Sequence, residues 1–376
     1  MRKVWWVFAG LVLIGAACFG GWLLTLPPQP PGVIASAISP DEHAATVAAL
    51  EPPKRERPVI AVIGINDGTE TTDYLMPTGI LRRADVADVL LVATEKGPVT
   101  LYPALTVDSD FSLEQFDARY PEGADFVIVP AMRRPDDATV LAWLRTQAQS
   151  GAIVVGVCAG ATIVANAGLL DGKRATTHWY YIDDMRERHP RIEYVPDRRF
   201  VVDQGVVTTT GISASMPMTL TLVEAIAGRD KALEVARGLG LESWDASHRS
   251  GSFALSREFA WQATLNKAQF WAHEKMNIEL TPGMDGVSLA LMADAWSRTF
   301  RSRVVTYAAL PDAVETRFGL RIHPERAISV EMPPPWLVAL DPDKPARVLE
   351  DALADIRNRY GRGTQSLVAA QLEYPL

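Results

Sequence analysis

The stretch Gly151–Leu170, which reads GAIVVGVCAGATIVANAGLL, decides the fold. Its first part, Ala152–Val157, is a run of small and β-branched residues, which is typical of a central parallel strand covered on both faces. The run ends at Cys158, and from Ala159 onward apolar residues recur at helical spacing. The sequence therefore predicts a strand, a tight turn and a helix. Cys158 then lies at the carboxyl end of the strand, where open α/β sheets bind their ligands.

Gly156 and Gly160 flank the cysteine in a Gly-x-Cys-x-Gly pattern. Small neighbours of this kind allow the sharp turn of a nucleophile elbow, which exposes the reactive side chain. The helix N-terminus behind the sulfur is expected to lower the pKa of Cys158. The alternative is a buried core cysteine, a common environment for this residue type. We favour a cysteine nucleophile elbow.

Other segments of the chain alternate between strand and helix patterns. Apolar runs typical of strands occupy Val59–Ile63, Val86–Thr94, Ala124–Pro130 and Gly205–Thr210. Helical patterns begin at Asp73 and cover Asp136–Gln149 and Met216–Ala227. Such alternation implies crossover connections, so an α/β class with a doubly wound, mostly parallel sheet is predicted over residues 58–240.

Length and composition limit the classes of function. A chain of 376 residues exceeds the usual size of a single core. Its net charge of -8 argues against nucleic-acid binding, which needs a basic face. Cys18 and Cys158 are the two cysteines, so pairing does not indicate a redox compartment. No metal-binding or cofactor-binding pattern stands out, and neither group is predicted.

The N-terminal stretch Val4–Leu26 carries no charged residue and follows Arg2 and Lys3. It is long enough to span a bilayer, and the positive-inside rule places its start in the cytoplasm. We therefore predict a single-pass inner-membrane protein with a cytoplasmic tip and transmembrane helix at residues 1–26. The globular part would then be periplasmic or extracytoplasmic.

Two alternatives to a retained anchor remain, and both concern processing. One is signal-peptidase cleavage near Ala35–Ala37, and the other is acylation of Cys18 as a lipoprotein. Acylation is disfavoured because Gly15 replaces the expected branched residue and the apolar run continues past Cys18. Residues 27–57 are Pro-rich at both ends, which predicts a linker.

The segment beginning Cys158-Ala-Gly-Ala and continuing through Ala167–Trp179, AGLLDGKRATTHW, resembles the ThiJ/PfpI family of the class I glutamine amidotransferase-like superfamily. The resemblance covers roughly Val59–Gly240 and is closest to isonitrile hydratases and the sensory domains of AraC-type regulators. It implies an acidic residue facing the cysteine, at Asp73, and hence a catalytic pair of Cys158 and Asp73. It also implies a small-molecule substrate or ligand and a homodimer.

The same resemblance places further residues around the pocket or at oxyanion positions. These residues are Ala159, Gly160, Ala131, His178, Gly211 and Ile212. For His178 a structural histidine bonded between loops is the simpler interpretation, and a general acid or base is the alternative. Asp73 could also serve only as a helix cap.

Departures from the family pattern narrow the activity. None of the six histidines begins the His-x-Glu that a glutaminase triad requires. Ala159 stands where PfpI-type proteases carry His and where the hydratases usually carry Thr. Glutaminase and protease activities are therefore not expected. Ala159 also lacks the hydroxyl group that the hydratases usually carry next to the cysteine.

The region 241–376 contains no recognisable helix-turn-helix. Its first part, Ser243–Asn277, has an amphipathic pattern that predicts helix. Beyond it, the strand, loop, helix and strand patterns of Ile278–Tyr307 echo those of Val59–Thr94, with Asp285 near the place of Asp73. The order continues in three further places: Val314–Ile322 resembles Val99–Val107, Trp336–Leu340 resembles Phe126–Pro130, and Pro345–Tyr360 resembles Asp136–Gln149. We predict a C-terminal α/β extension that is a degenerate half-repeat without a nucleophile. Chance agreement of strand and helix order is the alternative.

Three functions follow from these observations. The first is a membrane-anchored, cysteine-dependent enzyme of hydratase or hydrolase type that acts on a small electrophile. The second is a ligand or redox sensor in which Cys158 binds or is oxidised without turnover. The third is a scaffold whose C-terminal part binds a protein. The enzyme is slightly favoured over the sensor.

Overall fold

The computed structural model describes residues 14–15, 17–31, 35–328 and 344–376. The strands in this part of the chain are β1 (Val59–Gly64), β2 (Thr69–Glu70), β3 (Asp88–Ala93), β4 (Pro98–Tyr102), β5 (Thr106–Asp108), β6 (Phe111–Ser112), β7 (Phe126–Val129), β8 (Ile153–Gly156), β9 (Arg174–Ala175), β10 (Glu193–Tyr194), β11 (Phe200–Asp203), β12 (Val206–Thr209), β13 (Glu274–Glu279), β14 (Ser302–Ala308), β15 (Val314–Glu315), β16 (Arg321–Ile322) and β17 (Arg326–Ala327).

The helices are α1 (Pro40–Ala48), α2 (Thr71–Ala84), α3 (Leu113–Arg119), α4 (Ala138–Gln149), α5 (Gly160–Asn166), α6 (Ile182–Arg188), α7 (Ser215–Ala227), α8 (Arg229–Leu239), α9 (Arg257–Ala268), α10 (Gly286–Ser297) and α11 (Val348–Gln371). Side chains cap several helix N-termini. Ser112 forms a capping box with Gln115 at α3, and the carboxylate of Asp137 accepts from two backbone N–H groups at α4.

The central sheet has seven strands in the order β11-β12-β8-β7-β1-β3-β6. Neighbouring strands are parallel except for the β11–β12 pair. Alternate residues of β1 enter two different apolar clusters, with Ile60 and Val62 in one and Ala61 and Ile63 in the other. The sheet is therefore covered on both faces, and the predicted α/β class with a mostly parallel sheet is confirmed.

The C-terminal region adds a smaller parallel sheet in the order β13-β14-β17. Its helix α10 packs against α2, and β16 pairs with β5. Residues from both parts of the chain, including Ile60, Leu289 and Val348, belong to one apolar cluster. The counterpart predicted at Trp336–Leu340 lies outside the described residues.

The prediction of a wholly helical Ser243–Asn277 is wrong. Helix α9 covers Arg257–Ala268 of this stretch, and Ser256 caps its start by accepting from the backbone N–H of Phe259. The last four residues belong to β13, because backbone pairing with β14 begins at Glu274. Periodicity over a short apolar stretch does not by itself separate strand from helix.

The segment predicted as a linker packs on the folded part instead of extending from it. Residues 40–48 form α1, Leu50 is fully buried, and Arg55 forms an ion pair with Asp125 at 2.6 Å. Its proline content sets the start of α1, where Pro40 occupies the first turn.

The predicted transmembrane helix requires correction. No helix among the described residues is long and apolar enough to cross a membrane. Residues 1–13 and 16 of the predicted span lie outside the described part of the chain. The single-pass inner-membrane location predicted from the sequence is therefore wrong.

Candidate active site

Cys158 lies in the turn between β8 and α5. Its φ is 55°, in the left-handed region that a side chain rarely adopts. Close packing behind the turn requires glycine at position 160, because a Cβ there would lie 1.9 Å from the carbonyl oxygen of Val129. The turn therefore holds Cys158 in a sparsely populated conformation against a neighbouring strand.

Two hydrogen bonds hold the backbone of this turn. The Cys158 N–H donates to Thr209 Oγ1 at 3.0 Å, and the Cys158 carbonyl accepts from Thr177 Oγ1 at 3.1 Å. The backbone N–H of Ala159 favours the ionised form of the sulfur and so acts to lower its pKa. The predicted pocket residue Ala159 is thus placed directly at the thiol.

Asp73 lies fully buried in the first turn of α2. Its Oδ2 accepts from the backbone N–H of Ala131 at 3.0 Å, while Oδ1 has no hydrogen-bond partner among the described residues. Burial, followed by the charge of Glu70, raises the pKa of Asp73 well above its ordinary value. Burial therefore favours the protonated form of this carboxyl more than in an exposed aspartate, and Oδ1 is the oxygen left free to carry the proton.

A buried ionic cluster adjoins Asp73. Glu70 caps α2 by accepting from the Asp73 N–H at 2.6 Å, and it also accepts from Arg298 Nη2 at 2.5 Å. Arg298 Nε donates to Asp294 Oδ2 at 2.8 Å. Burial raises the pKa of Asp294 to about 8. Two carboxyl groups, Glu70 and Asp294, thus share one guanidinium next to the carboxyl of Asp73, which favours a neutral acid within the cluster.

The pKa of Cys158 differs from the sequence-based expectation. Burial, followed by the charges of Asp73, Glu70 and Glu373, raises it well above the ordinary value of a thiol. The N-terminus of α5 was expected to lower it, but desolvation and converging carboxylates outweigh that dipole. The resting sulfur is therefore protonated, and its proton has to move before or during any attack.

His178 is placed near the site but both of its ring nitrogens are engaged. Nε2 is 3.1 Å from the carbonyl oxygen of Gln371, which makes Nε2 the protonated nitrogen, and Nδ1 accepts from the Tyr180 N–H at 3.3 Å. Burial lowers the pKa of His178 to about 4. This geometry matches a neutral structural histidine that joins two segments of the chain.

Three backbone N–H groups proposed as pocket or oxyanion donors already have intramolecular acceptors. The Ala131 N–H donates to Asp73, the Gly160 N–H donates to the Val157 carbonyl at 2.7 Å, and the Gly211 N–H donates to Glu373. Negative charge that develops at the sulfur would therefore be stabilised by the N–H of Ala159, since the other three N–H groups already have acceptors.

The C-terminal end of the chain reaches the same region. Glu373 is buried and accepts from the backbone N–H groups of Gly211 and Trp179. Burial raises the pKa of Glu373 to about 7. The other predicted residue of this loop, Ile212, lines a neighbouring cavity of about 400 Å³ together with Met76.

Sequence reasoning missed Glu70, Asp294, Arg298 and Glu373 as members of the site. Glu70 stands at an N-cap position before Asp73 and was visible as such. Arg298 could have been found by extending the internal repeat, because it follows Asp285 at the spacing at which Arg83 follows Glu70. No cluster of three His, Cys, Asp or Glu residues in the described ranges is arranged to hold a metal ion.

Comparisons with known proteins place this chain in a family. Residues 59–225 match the DJ-1/PfpI family. The chain is 39% identical over 165 residues to an isonitrile hydratase of Pseudomonas putida, an alignment that covers 43% of this chain and 68% of the hydratase.

Other relatives are regulators and DJ-1 proteins. The HTH-type transcriptional regulator CdhR of Pseudomonas aeruginosa is 32% identical over 156 residues, which is 41% of this chain and 45% of the regulator, so the match spans less than half of that relative. The crystal structure of Drosophila melanogaster DJ-1beta has a TM-score of 0.44 at 25% identity and covers 49% of this chain and 98% of its own. The match to the hydratase over two thirds of its length shows that the chain belongs to the DJ-1/PfpI family.

Proposed function

We propose that the chain is a cysteine-dependent catalyst that adds water to a small neutral electrophile, with Cys158 as nucleophile and Asp73 as proton carrier. The observation that carries the proposal is the unpartnered, buried Oδ1 of Asp73 beside a cysteine held at positive φ. A buried polar atom without a partner is costly, and such atoms are concentrated where chemistry uses them. The strand, turn and helix around Cys158 would serve as the nucleophile elbow.

An isonitrile illustrates the chemistry, because one similar protein is named an isonitrile hydratase. Asp73 gives its Oδ1 proton to the isonitrile carbon, the sulfur of Cys158 forms a bond to that carbon, and the thiol proton passes to Asp73. Water then adds to the same carbon of the thioimidate, the C–S bond breaks, and the sulfur regains a proton. The net change is the addition of one water to give an N-substituted formamide.

The surroundings of the sulfur favour a neutral substrate. Asp73, Glu70 and Glu373 all disfavour negative charge at Cys158. An anionic substrate would have to approach against the same fields, whereas a neutral one would not. The Ala159 N–H would hold charge that develops next to the sulfur.

Turnover with a substrate panel tests this proposal. The full chain is incubated with isonitriles, α-oxoaldehydes, amides and esters, in parallel with Cys158→Ser and Asp73→Asn. More than one equivalent of product per chain is expected for wild type, with loss of at least 1,000-fold in Cys158→Ser, since nucleophile and base act as a unit. Product that persists in Cys158→Ser, or no turnover of any compound, would reject the catalytic role.

Ala159→Thr tests whether a hydroxyl group at this position promotes isonitrile hydration. The hydratases usually carry Thr at this position, and the added hydroxyl would lie beside the sulfur. We expect isonitrile hydration to rise in Ala159→Thr, and Ala159→Val is the matched control because it adds similar volume without the hydroxyl. Equal rates in both variants would show that the hydroxyl plays no part.

A ligand sensor is the second candidate function. The observations that favour it are the similarity to a transcriptional regulator and the cavity of about 400 Å³ next to the Gly211 loop. In this case a small molecule would bind with one-to-one stoichiometry and raise the melting temperature without being consumed. A homodimer and the absence of nucleic-acid binding stay predictions.

A further inference from the structure

The C-terminal region supplies a side chain to the Cys158 site. We propose that Arg298 is a positioning residue of this site and that residues 274–327 hold it there as an internal structural counterpart of residues 59–112. The inference rests on the proposed role of Cys158 and extends the site to a residue beyond the segment matched to the family.

The two segments have the same order of elements. In each, two parallel strands are joined by a helix, β1–α2–β3 in the first and β13–α10–β14 in the second. An antiparallel strand pair follows in each, β4–β5 and β15–β16. The next short strand then pairs in parallel with the second strand of its own segment, β6 with β3 and β17 with β14.

The two segments also face each other across a close contact. A Cβ at Gly79 of α2 would lie 2.7 Å from Cγ2 of Val287 in α10. At the edge, Ile322 of β16 pairs with Val107 of β5. Helix thus meets helix and strand pair meets strand pair, the arrangement that two like units adopt around a shared twofold axis.

Reciprocal ion pairs connect the two helices. Arg298 Nη2 lies 2.5 Å from Glu70, the N-cap of α2, and Arg83 Nη2 lies 2.7 Å from Asp285, the N-cap of α10. Each arginine lies at the C-terminal end of one helix and binds the acid that caps the other. Each arginine also follows its own cap at the same spacing.

The two pairs differ in what lies next to them. Glu70 is bonded to the backbone of Asp73, so the Arg298 guanidinium fixes the acid that positions the proposed proton carrier. Asp285 is bonded instead to the backbone of Ser288. The Arg298–Glu70 pair therefore adjoins the proposed site, whereas the Arg83–Asp285 pair only connects the two helices.

The pH dependence of Cys158 alkylation tests this role, in the full chain with Cys18→Ser as background so that one thiol remains. The titratable and charged groups that interact electrostatically with Cys158 are Asp73, Glu70, Glu373, Tyr102, Tyr181 and Arg298. Arg298→Gln removes the one cation of this set. The carboxylate of Glu70 is then unbalanced beside the thiol, and the midpoint of iodoacetamide reaction should rise by about one pH unit, which is about tenfold slower reaction at a pH below the midpoint.

Arg83→Gln is the matched control, because it breaks the equivalent ion pair on the other side. We expect both glutamine variants to lose thermal stability to a similar degree, with the alkylation rate of Arg83→Gln within twofold of wild type. Arg298→Lys keeps the charge but loses the fork that reaches both Glu70 and Asp294, so reaction about threefold slower is expected.

Several results would overturn the inference. These are an unchanged or lowered midpoint in Arg298→Gln, an equal shift in Arg83→Gln, or a thiol that reacts in no variant up to pH 10. If Arg298→Gln does not fold, wild-type rates in Arg298→Lys overturn it. Failure of turnover in the substrate panel would leave these alkylation rates unaffected, so the two proposals fail separately.

Discussion

Residues 59–112 and 274–327 have the same sequence of strands and helix and nearly the same ion pair at the helix cap. In the first segment the cap Glu70 is followed three residues later by Asp73, and in the second the cap Asp285 is followed at the same distance by Ser288. Both side chains are buried, and Asp73 Oδ1 and Ser288 Oγ lack a hydrogen-bond partner among the described residues. The position after the cap is therefore a polar site in both segments.

The difference lies in the chain that follows. The first segment continues into β7 and β8, which lead to Cys158, and Asp73 and Cys158 interact electrostatically. The second leads through residues outside the described part into α11, and Glu373, which follows α11, accepts from the backbone N–H groups of Trp179 and Gly211. The same supersecondary unit thus carries Asp73 in one copy and, in the other, Arg298, which binds the helix cap next to Asp73. Equivalent elements of a fold can therefore have different roles.

The largest effect is expected at the turn of Cys158, where the start of α5 packs against β7. Gly160→Ala places a Cβ 1.9 Å from the Val129 carbonyl oxygen, a backbone atom that cannot move without displacing β7. We expect the free energy of unfolding to fall by more than about 3 kcal/mol, or no folded protein.

Gly286→Ala is the control in the second segment. Its Cβ would meet Cδ1 of Leu320 at 2.7 Å, the end of a flexible side chain that is able to turn away. A loss of about 1 kcal/mol or less is expected in urea unfolding. Equal losses for the two variants would contradict the packing described for the turn.

The two helix caps should have similar effects on stability. Asp285→Ala and Glu70→Ala each remove an N-cap and leave a guanidinium without its carboxylate. A loss of about 3 kcal/mol is expected for each, measured by urea unfolding. A loss confined to Glu70→Ala would show that the second segment does not use its ion pair as the first does.

Acid should destabilise the protein through two buried histidines, one of which, His178, contacts Gln371 of α11. His178 and His248 are buried, and burial lowers the pKa of each from 6.5 to about 4. The unfolded chain takes up these protons as pH falls below 6.5 while the folded chain does not, so stability is lost between pH 6.5 and 4. Each histidine should contribute up to about 3 kcal/mol of that loss.

His178→Gln tests the histidine contribution by difference. The variant should be less stable than wild type at pH 7, because it loses the hydrogen bond from His178 Nε2 to the Gln371 carbonyl. The wild-type advantage in free energy of unfolding should fall by about 3 kcal/mol between pH 7 and pH 4. Urea unfolding at both pH values measures it. Parallel stability curves for the two proteins would mean that His178 titrates normally in the folded state.

The smallest effect is expected at the exposed edge between the two segments. Arg321 lies 3.4 Å from Asp108 with more than half of its side chain exposed. Arg321→Ala should change the free energy of unfolding by less than about 0.5 kcal/mol, because exposed ion pairs contribute little. A larger loss would indicate that the strand pairs, and not the helices α2 and α10, hold the two segments together.

Much of the first segment could be predicted from sequence because its signals are local. Ala152–Val157 is fully apolar, so the central strand and the position of Cys158 follow from composition and spacing. The mostly parallel sheet follows from the alternation of strands and helices. Asp73 came from resemblance to a family.

The remaining members of the site depend on contacts that sequence spacing does not report. Arg298 and Glu373 reach the site through α10 and α11, each more than a hundred positions from Cys158 in the chain. The raised pKa of Cys158 arises because burial and several carboxyl groups act together, which a single helix N-terminus could not indicate. The membrane span at Val4–Leu26 was predicted from the length of the charge-free stretch and the positive residues before it, and these local features do not report the structure that the stretch adopts.

The most direct test of the account is the alkylation midpoint of Cys158 in Asp73→Asn, again with Cys18→Ser as background. Once Asp73 has lost its proton, its negative charge raises the pKa of the thiol. Its removal should lower the midpoint by about one pH unit and speed reaction at pH 8 about tenfold. Asp285→Asn, the buried acid of the second segment, should leave the midpoint unchanged. A midpoint that stays the same or rises in Asp73→Asn would contradict the pairing of Asp73 with Cys158 on which the proposed function rests.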